Sequence, residues 1–496
     1  MLRTKMLAQI VSRQTDWDIV IIGGGATGVG CAVDAASRGY EVLLLEQADF
    51  GKGTSSRSTK LVHGGVRYLE QGNISLVMEA LKERGILRQN APHLVEELAF
   101  IVPNYEWWEM PFYGVGLKIY NLLSGKYGFG KSQILSKAET LKRLPTIKKE
   151  GLRGGVIYFD GQFDDTRLLI NLAQTAHEQG ATLLNYARVF QLIKDGDGLI
   201  NGVSFVDEET GQLHQVKSKA VINATGAFCD TVRQFSDKKS NPIIAPSQGI
   251  HLTFDRSFLP TETAIMIPHT SDGRVLFAIP WHNHTIVGTT DTPIEKATLE
   301  PKALDEEIEF ILATAKEYLH KPPTRDDILS IFAGVRPLVK SGDAKNTSSL
   351  SRDHTIEIDK SGLVTITGGK WTTYRNMAED CINQAANLVG LPEKDCVTKT
   401  LKIYQTPKNE GEKLHTDFEY TVEDVLCAVR EEMAETIEDV LARRTRILFL
   451  NAKAAIELAP QVAEIMAKEL GKNKTWKTEQ VKAFQQIAEN YLVGKQ

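Results

Sequence analysis

The feature that most constrains the fold is a glycine turn near the N-terminus, between a predicted strand and a predicted helix. Residues 19–22 are apolar, and Gly23, Gly25 and Gly28 follow with the spacing Gly-x-Gly-x-x-Gly. Such a turn lets the backbone approach a pyrophosphate, and the N-terminus of the following helix supplies N–H groups and the positive end of its dipole. The spacing therefore predicts a dinucleotide cradle in a Rossmann-like α/β domain.

The residues after this turn narrow the choice of dinucleotide. The pattern predicts a helix over 26–38 that stops at Gly39 and a second strand over Val42–Leu45, with Glu46 at its end. A carboxylate at this point accepts hydrogen bonds from a ribose 2′-OH and repels the 2′-phosphate of NADP. The predicted ligand is therefore FAD or NAD.

Composition excludes several classes of protein. With 496 residues the chain is long enough for about three domains, and 24% charged and 42% hydrophobic residues argue against disorder and against a membrane-embedded protein. A net charge of −5 argues against nucleic-acid binding. The five cysteines include no Cys-x-x-Cys pair, which suits a reducing compartment and predicts no metal site.

A stretch rich in glycine, hydroxyl and basic residues follows Glu46. It contains the pair Ser55-Ser56, then Lys60, and then His63-Gly-Gly-Val-Arg-Tyr-Leu-Glu70. Small residues let backbone and side-chain donors crowd around a cofactor, and a surface loop would explain the serines but not the basic residues beside glycines. We therefore expect this stretch to line the ligand site.

Two signatures far apart in the chain resemble one family. The first combines Gly23–Gly30, Ser55-Ser56 and His63–Glu70, and the second is Gly368-Gly-Lys-Trp-Thr-Thr-Tyr-Arg375. Both are similar to the FAD-dependent, quinone-linked glycerol-3-phosphate dehydrogenases, and the likeness extends from about Asp16 to the C-terminal helices. The resemblance implies FAD as the cofactor and a fold of the glycine oxidase and D-amino-acid oxidase type.

This fold implies three parts, α+β overall. We expect a split, Rossmann-like FAD-binding domain over 1–72, 150–230 and 356–398, and an antiparallel-sheet substrate domain over 73–149 and 231–355. A C-terminal helical domain is expected over 399–496, with helices at 422–441, 452–470 and 478–492. The basic run of Arg443, Arg444 and Arg446 is interpreted as a solvated face.

The residues predicted to contact FAD come from the glycine turn, Glu46, the stretch after it, and segments that match family motifs. The backbone at Val189, the turn Ala224-Thr225-Gly226 and the helix start at Lys370, which the family places under the flavin, rest on the resemblance alone. The full predicted set is Gly23, Gly24, Gly25, Ala26, Thr27, Gly28, Glu46, Ser55, Ser56, Lys60, His63, Gly64, Val189, Ala224, Thr225, Gly226, Gly368, Gly369, Lys370 and Thr372.

The implied reaction is oxidation of sn-glycerol 3-phosphate to dihydroxyacetone phosphate, with hydride transfer from C2 to the flavin N5. Arginine suits the phosphate because its planar fork binds phosphate oxygens bidentately. His251 is the predicted base, because imidazole titrates near neutrality and the family has a histidine there; Lys370 competes for this role. The predicted substrate contacts are Arg67, Tyr68, His251, Arg336, Arg352 and Lys370, and His251, Lys370 and Arg336 are the predicted catalytic residues.

Other functions stay open at this point. A flavin-dependent amine or amino-acid oxidase has the same fold, but it needs one arginine for a carboxylate and not several for a dianion. An oxygen-using glycerol-3-phosphate oxidase is a second alternative, although the helical insert at 305–319 is short, which favours a dehydrogenase. A flavoprotein that only binds a partner or tRNA is a third, and the acidic net charge opposes RNA.

The electron acceptor implied by the resemblance is a membrane quinone. No apolar run approaches the ~18–20 residues that span a bilayer, so we expect a cytoplasmic protein held peripherally on the inner face of the cell membrane. Two segments could contact lipid: the N-terminal arm with Arg3, Lys5 and Arg13, and the aromatic stretch 107–129, for which packing in the core is the alternative. A homodimer is left open.

Overall fold

The computed structural model of the protein describes residues 1–70, 72–268, 270, 273–340 and 353–494, without the side chains of Arg67 and Glu70. The strands, in chain order, are β1 (Trp17–Ile22), β2 (Val42–Leu45), β3 (Leu61–Val62), β4 (Val95–Asn104), β5 (Gln133–Ser136), β6 (Gly154–Phe163), β7 (Thr182–Leu184), β8 (Ala187–Lys194), β9 (Ile200–Asp207), β10 (Leu213–Asn223), β11 (Ile244–Asp255), β12 (Thr263–Ile267), β13 (Leu276–Trp281), β14 (His284–Gly288), β15 (Thr292–Pro293), β16 (Ser330–Val339), β17 (His354–Ile358) and β18 (Leu363–Gly368).

The helices complete the element order. They are α1 (Arg3–Ser12), α2 (Ala26–Ser37), α3 (Val66–Glu70), α4 (Ile74–Asn90), α5 (Glu109–Ser124), α6 (Lys137–Arg143), α7 (Asp165–Glu178), α8 (Cys229–Ser236), α9 (Asp305–Tyr318), α10 (Tyr374–Leu388), α11 (Val422–Glu431), a π-helix at Asp439–Arg444, α12 (Ile447–Leu450), α13 (Ala452–Leu470) and α14 (Lys474–Ala488).

The first sheet is the Rossmann-like layer. Its strands run in the order β17-β18-β10-β1-β2-β7, and β1 pairs in parallel with both β10 and β2. Ile19, Val20 and Ile21 are fully buried, as expected for a central parallel strand that is covered by helices on both faces. Helix α2 packs against α7 and α10. The predicted order of strand, glycine turn, helix and second strand is therefore present.

The second sheet is mostly antiparallel, with the order β15-β11-β14-β13-β12-β4-β6-β3 and with β16 paired to β11 and β5 to β6. Two long ladders of equal length join residues 244–253 of β11 to residues 330–339 of β16, and β4 to β6. Strands β3 and β6 also belong here, although the predicted boundaries put both in the FAD-binding part. The physical reason is that β6 takes its hydrogen bonds from β4 and β5. Sheet membership alone does not fix a domain boundary, so all of the domain boundaries stay predictions.

The C-terminal residues form helices, with one break that the sequence did not predict. Helix α11 ends at Glu431 and does not continue to residue 441, because Met433 adopts a left-handed φ of 59° and a π-helix follows. Helix α13 covers the predicted range and ends at Gly471, whose φ of 65° caps it. This part of the chain is therefore helical, as expected.

The interpretation of the basic run as a solvated face is wrong. The side chains of Arg443, Arg444 and Arg446 are all buried. They face buried carboxylates, and Arg443 and Arg444 both bind Asp49, with N–O distances of 2.5 and 2.6 Å. A run of arginines on a helical pattern is normally solvated. Here the fold brings the carboxylate of Asp49, which follows β2, next to the arginine side chains.

The N-terminal arm is a helix that packs on the chain. In α1, Met6 and Ile10 are buried, and Arg3 is buried in an ion pair with Asp207. Arg13 pairs with Glu41. Leu2 and Val11 stay exposed, so the arm is partly packed on the chain and its contact with lipid stays a prediction, as does that of residues 107–129. Over the residues that the structure covers, no helix is both long and apolar enough to cross a bilayer.

Candidate active site

A cavity of about 360 Å³ lies at one edge of the first sheet. The turns after β1, β2, β10 and β18 meet there, because these strands are parallel and their carboxyl ends share an edge. In open α/β sheets this is the edge at which ligands bind. The predicted cofactor residues that line the cavity are Gly23, Gly25, Ala26, Thr27, Glu46, Ser55, Val189, Ala224, Thr225, Gly226, Gly368, Gly369 and Lys370.

The turn after β1 requires its glycines. Gly23 has a φ of +111°, and a Cβ there would lie 2.7 Å from the Ala224 carbonyl oxygen. A Cβ on Gly28 would lie 1.9 Å from the Gly23 carbonyl oxygen. Helix α2 begins directly after Gly25, and the Ala26 N–H donates to Ser55 Oγ at 2.9 Å. The backbone is therefore exposed to a ligand at a helix N-terminus.

Glu46 is fixed at the cavity wall by two backbone groups. Its carboxylate accepts hydrogen bonds from the Gly24 N–H at 2.5 Å and from the Ala48 N–H at 2.9 Å. Burial raises its pKa above the usual range, and these two hydrogen bonds oppose the shift. An acceptor held beside a glycine turn at a helix N-terminus fits a dinucleotide, with its ribose at Glu46 and its pyrophosphate at α2. The residues present therefore fit FAD.

Several predicted cofactor residues do not line the cavity. Gly24 and Gly28 support the turn. Thr372 Oγ1 donates to the His63 carbonyl at 3.4 Å, which joins the second family signature to the segment before α3. A Cβ on Gly64 would lie 2.4 Å from Tyr120 Oη, so Gly64 allows this segment to pack closely on α5. Ser56 is buried behind the cavity wall.

Lys60 is a predicted cofactor residue, but it does not line the cavity. Lys60 is fully buried, and Nζ donates to Asp165 Oδ2 at 2.7 Å and to the Ser56 carbonyl at 2.8 Å. Burial lowers its pKa to about 7, although the carboxylate of Asp165 acts in the opposite direction. The ammonium therefore turns away from the cavity because its counter-charge lies on the other side.

Sequence reasoning missed part of the cavity wall. The further lining residues include Gln47, Lys52, Thr54, Phe228, Leu299, Pro337 and Trp371. Trp371 Nε1 donates to the Ser55 carbonyl at 2.9 Å, which ties the second family signature to the first. The glycines on either side of Lys52 are the signal that could have included it.

The second sheet covers the cavity from the other side. The side chain of Arg336 on β16 folds over Gly249 of β11. A Cβ placed on Gly249 would lie only 2.5 Å from Arg336 Nη2. It donates to Thr289 Oγ1 at 3.1 Å and lies 3.3 Å from the Asp291 carboxylate. Gly334 lies on the same face of β16 as Arg336, and a Cβ there would lie 2.9 Å from the Arg57 carbonyl oxygen. The guanidinium therefore lies on the sheet face that packs on the stretch after Glu46.

His251 lies on the same face of β11, two residues beyond Gly249. It is 2% exposed, stacks on Phe332 with ring centroids 4.8 Å apart, and has Nε2 2.9 Å from Thr59 Oγ1. Burial lowers its pKa well below 6.5, and the nearby cations of Lys60 and Arg336 lower it further. Nδ1 is buried and has no hydrogen-bond partner in the described part of the chain. The imidazole is therefore neutral at pH 7.

Lys370 and Tyr68 meet at the cavity. Lys370 Nζ lies 4.3 Å from the centroid of the Tyr68 ring, and Lys370 immediately precedes the turn that leads into α10. Arg67 lies in α3 beside Tyr68, but its side chain is outside the described structure, as is all of Arg352. Of the predicted substrate residues, Lys370 lines the cavity, Tyr68 lies against Lys370, and His251 and Arg336 share the sheet face that contacts Thr59.

Replacing Glu46 with Arg should weaken FAD binding. The change removes the ribose acceptor and puts a cation where the two backbone N–H groups now point. We expect the variant to purify with little flavin and to need added FAD, which the ratio of flavin to protein absorbance measures. Replacing the exposed Glu41 with Arg is the control, and full occupancy in the Glu46 variant would contradict the assignment.

Comparison with known proteins identifies the family. Residues 18–375 match the family described as FAD dependent oxidoreductase (DAO), and residues 392–479 match the C-terminal domain of alpha-glycerophosphate oxidase. The probable mitochondrial glycerol-3-phosphate dehydrogenase of Caenorhabditis elegans is 40% identical over 97% of this chain and 74% of its own length. The mitochondrial glycerol-3-phosphate dehydrogenase of Homo sapiens is 39% identical over 96% of this chain and 74% of its own.

Comparison with solved structures supports the same family. The glycerol-3-phosphate dehydrogenase from Bacillus halodurans complexed with FAD has a TM-score of 0.79 and 28% identity and covers 100% of this chain and 99% of its own. Glycine oxidase from Geobacillus kaustophilus, at 20% identity and a TM-score of 0.55 over 80% of this chain and 100% of its own, supports the fold alone. The predicted fold type, FAD cofactor and resemblance are confirmed, and the chain belongs to the FAD-dependent glycerol-3-phosphate dehydrogenase family.

Proposed function

We propose that the chain oxidises sn-glycerol 3-phosphate to dihydroxyacetone phosphate and passes the electrons to a membrane quinone. The observation that carries the substrate assignment is the position of Arg336 and His251 on one face of the β11–β16 pair, which meets the stretch after Glu46 where His251 Nε2 lies 2.9 Å from Thr59 Oγ1. Family membership supports the same substrate. The site thus combines a cation for a phosphate with a neutral imidazole for a hydroxyl proton.

Arg336 supplies the phosphate contact. Its contacts with Thr289 and Asp291 fix the guanidinium plane, so little side-chain freedom is lost when a ligand binds. A phosphate dianion bound there would also bring negative charge near His251 and offset the cation that now lowers the imidazole pKa.

His251 takes the hydroxyl proton. Because its pKa is lowered, the imidazole is uncharged at pH 7 and has a lone pair to accept a proton. FAD, when bound, supplies the hydride acceptor. Lys370 places a positive charge on the cavity wall next to the N-terminus of α10, where the helix dipole acts in the same direction, so that negative charge developing in the cavity is stabilised.

Anaerobic mixing tests this function. The yellow holoprotein should bleach with sn-glycerol 3-phosphate and not with glycine, proline or glycerol, and a quinone analogue should restore the colour faster than air does. Bleaching by an amino acid in place of the sugar phosphate would overturn the substrate assignment. Rapid return of the colour in air, without a quinone, would favour an oxygen-using oxidase.

Helix α5 supports a peripheral membrane position. Its inner face buries Tyr113, Leu117 and Tyr120. Its outer face exposes a stripe of apolar side chains at helical spacing, and Trp107 before the helix and Leu122 near its end are 74% and 80% exposed. The exposed apolar residues of this segment are Trp107, Trp108, Phe112, Val115, Ile119 and Leu122. Such a face, with Lys118 and Lys126 exposed beside it, is typical of helices that lie in a bilayer surface.

The position of α5 relative to the cavity favours a lipid-soluble acceptor. Tyr120, on the inner face, donates to Asp160 Oδ2 at 2.6 Å and packs against Gly64 in the segment that leads to Tyr68. A helix is about 10–12 Å across with its side chains, so the exposed stripe lies about one helix diameter from that segment. We therefore propose that the protein sits on the inner, cytoplasmic face of the cell membrane; a homodimer stays a prediction.

Replacing Arg336 with Lys should weaken substrate binding. Lysine keeps the charge but loses the planar fork, so KM for glycerol 3-phosphate should rise about tenfold or more, the equivalent of ~1.4 kcal/mol. Steady-state kinetics with a saturating acceptor measure this. Arg325→Lys, at a half-buried arginine that pairs with Asp305 and Glu309 far from the cavity lining, is the control. An unchanged KM in the Arg336 variant would remove Arg336 from the phosphate site.

A further inference from the structure

The loop over residues 51–60, here called the cofactor loop, has two sides. On one side, Gly51, Lys52, Gly53, Thr54 and Ser55 line the FAD cavity. On the other side, each of its basic residues meets a carboxylate: Lys52 meets Glu438, Arg57 meets Glu300, and Lys60 meets Asp165, at 2.5, 2.9 and 2.7 Å. Ion pairs on the side of the loop that faces away from the cavity therefore hold it in place.

The C-terminal helical domain supplies much of this support. Glu438 accepts hydrogen bonds from Lys52 Nζ on both of its oxygens, at 2.5 and 2.6 Å. Arg446 is 1% exposed, and its Nη2 donates to the Ser56 carbonyl at 2.8 Å and to Asp165 Oδ1 at 3.2 Å. Asp165 Oδ2 in turn binds Lys60 Nζ. The domain thus contacts the loop near its start and near its end.

The segment just before the loop is held in the same way. Asp49 accepts from Arg443 Nε at 2.5 Å and from Arg444 Nη1 at 2.6 Å, and all three side chains are buried. Among the described residues, those that line the cavity end at Trp371, so the C-terminal helical domain acts on the ligand site indirectly, through the loop and its neighbouring segments.

The conformation of the loop needs such support. Lys60 has a φ of +63° and Arg446 a φ of +60°, in the left-handed region that residues with a Cβ seldom adopt. A buried ion pair adds little net stability, but the loss of one partner leaves the other charge buried and unpaired. Pairs of this kind therefore fix position more than they add to overall stability.

We propose that Glu438 and Arg446 are positioning residues for FAD, through which the C-terminal helical domain clamps the cofactor loop in the conformation that binds the dinucleotide. The clamp acts on the cofactor whichever substrate the enzyme oxidises. Because coupling between two sites is reciprocal, bound FAD must also stabilise the contact between the loop and this domain.

The test compares Glu438→Gln and Arg446→Gln with Arg84→Gln. Arg84 is as buried as Arg446 and pairs with Asp160 at 2.6 Å, but it touches neither the loop nor the C-terminal helical domain. The dissociation constant of FAD is measured by titrating apoprotein, and Tm is measured with and without FAD. We expect the two clamp variants to bind FAD at least tenfold more weakly and to lose most of the rise in Tm that FAD causes.

The control variant should lower Tm equally with and without FAD and keep the dissociation constant within about twofold. If the clamp variants also lose Tm in parallel in both states and bind FAD like the wild type, their role is only structural and the proposal is wrong. These readouts use no glycerol 3-phosphate, so they do not depend on the proposed reaction.

Wild-type protein gives a second measurement if a variant does not fold. Adding FAD to apoprotein should slow amide hydrogen exchange at residues 437–450, which do not line the cavity, together with residues 51–60. Slowing at 51–60 without any change at 437–450 would overturn the proposal.

Discussion

Replacing His251 with Asn should lower kcat for glycerol 3-phosphate oxidation by roughly 10²–10⁴-fold, the usual contribution of a general base. The asparagine amide lies near the position of the imidazole Nδ1, and it does not accept a proton at neutral pH. KM should change much less than kcat, because the phosphate contact at Arg336 is untouched. Stopped-flow measurement of anaerobic flavin bleaching reports this step directly.

The pH profile separates a base from a structural histidine. The folded-state pKa of His251 lies well below 6.5 because of burial and the cations of Lys60 and Arg336. The neutral form is the active one, so activity is full above this pKa and is lost only as the pH falls through it. We expect the acid limb of kcat/KM in the wild type to lie below pH 6.5 and to disappear in the Asn variant.

His284 offers a matched control. It is also a buried histidine on the second sheet with a pKa lowered by burial, but its Nδ1 meets the His282 carbonyl, and its ring stacks on Phe418, away from Thr59 and Arg336. His284→Asn should keep kcat and the acid limb. If His251→Asn behaves like His284→Asn, Lys370 becomes the stronger candidate for the base.

The parts of the fold that the sequence predicted depend on short-range signals. The glycine turn, α2, β2 and Glu46 lie within thirty residues of one another, and each has its own local reason, such as the Cβ clash at Gly28. The end of α13 at Gly471 is a local cap. Periodicity and turn chemistry suffice for such elements, because their hydrogen-bond partners are near in sequence.

The parts that were wrong depend on partners far along the chain. Lys60 pairs with Asp165, 105 residues away, and Arg443 with Asp49, 394 residues away. A basic residue beside a glycine looks the same in sequence whether its counter-charge is a ligand or a buried carboxylate. Only the fold decides this, which is why the ammonium of Lys60 and the arginine run were misplaced.

Helix α5 shows a second reason why sequence alone did not decide the environment of a segment. It is apolar on both faces, and such a helix is either buried all round or covered on one side by something other than the chain itself. The sequence therefore left core packing and membrane contact open. The structure assigns Tyr113, Leu117 and Tyr120 to the core and leaves the opposite face exposed.

Replacing Trp107, Phe112 and Leu122 with Ser should abolish most binding to lipid vesicles. Each burial of a large apolar side chain contributes about 1.5 kcal/mol at the low end, and every 1.4 kcal/mol is tenfold in affinity. The triple variant should therefore bind about a thousandfold more weakly in co-sedimentation assays. FAD content should not change, because all three side chains are exposed and none lines the cavity.

The control replaces three apolar residues that are exposed outside both predicted membrane segments, Leu199, Leu213 and Val397, with Ser. This variant should bind vesicles like the wild type, and binding of both should strengthen with anionic lipid and weaken in high salt, because Lys118 and Lys126 flank the apolar stripe. The α5 variant should still reduce a water-soluble acceptor at the normal rate but lose turnover with a long-chain quinone in vesicles. If wild-type protein ignores vesicles of every composition and reduces oxygen rapidly, the stripe has another partner and the quinone proposal fails.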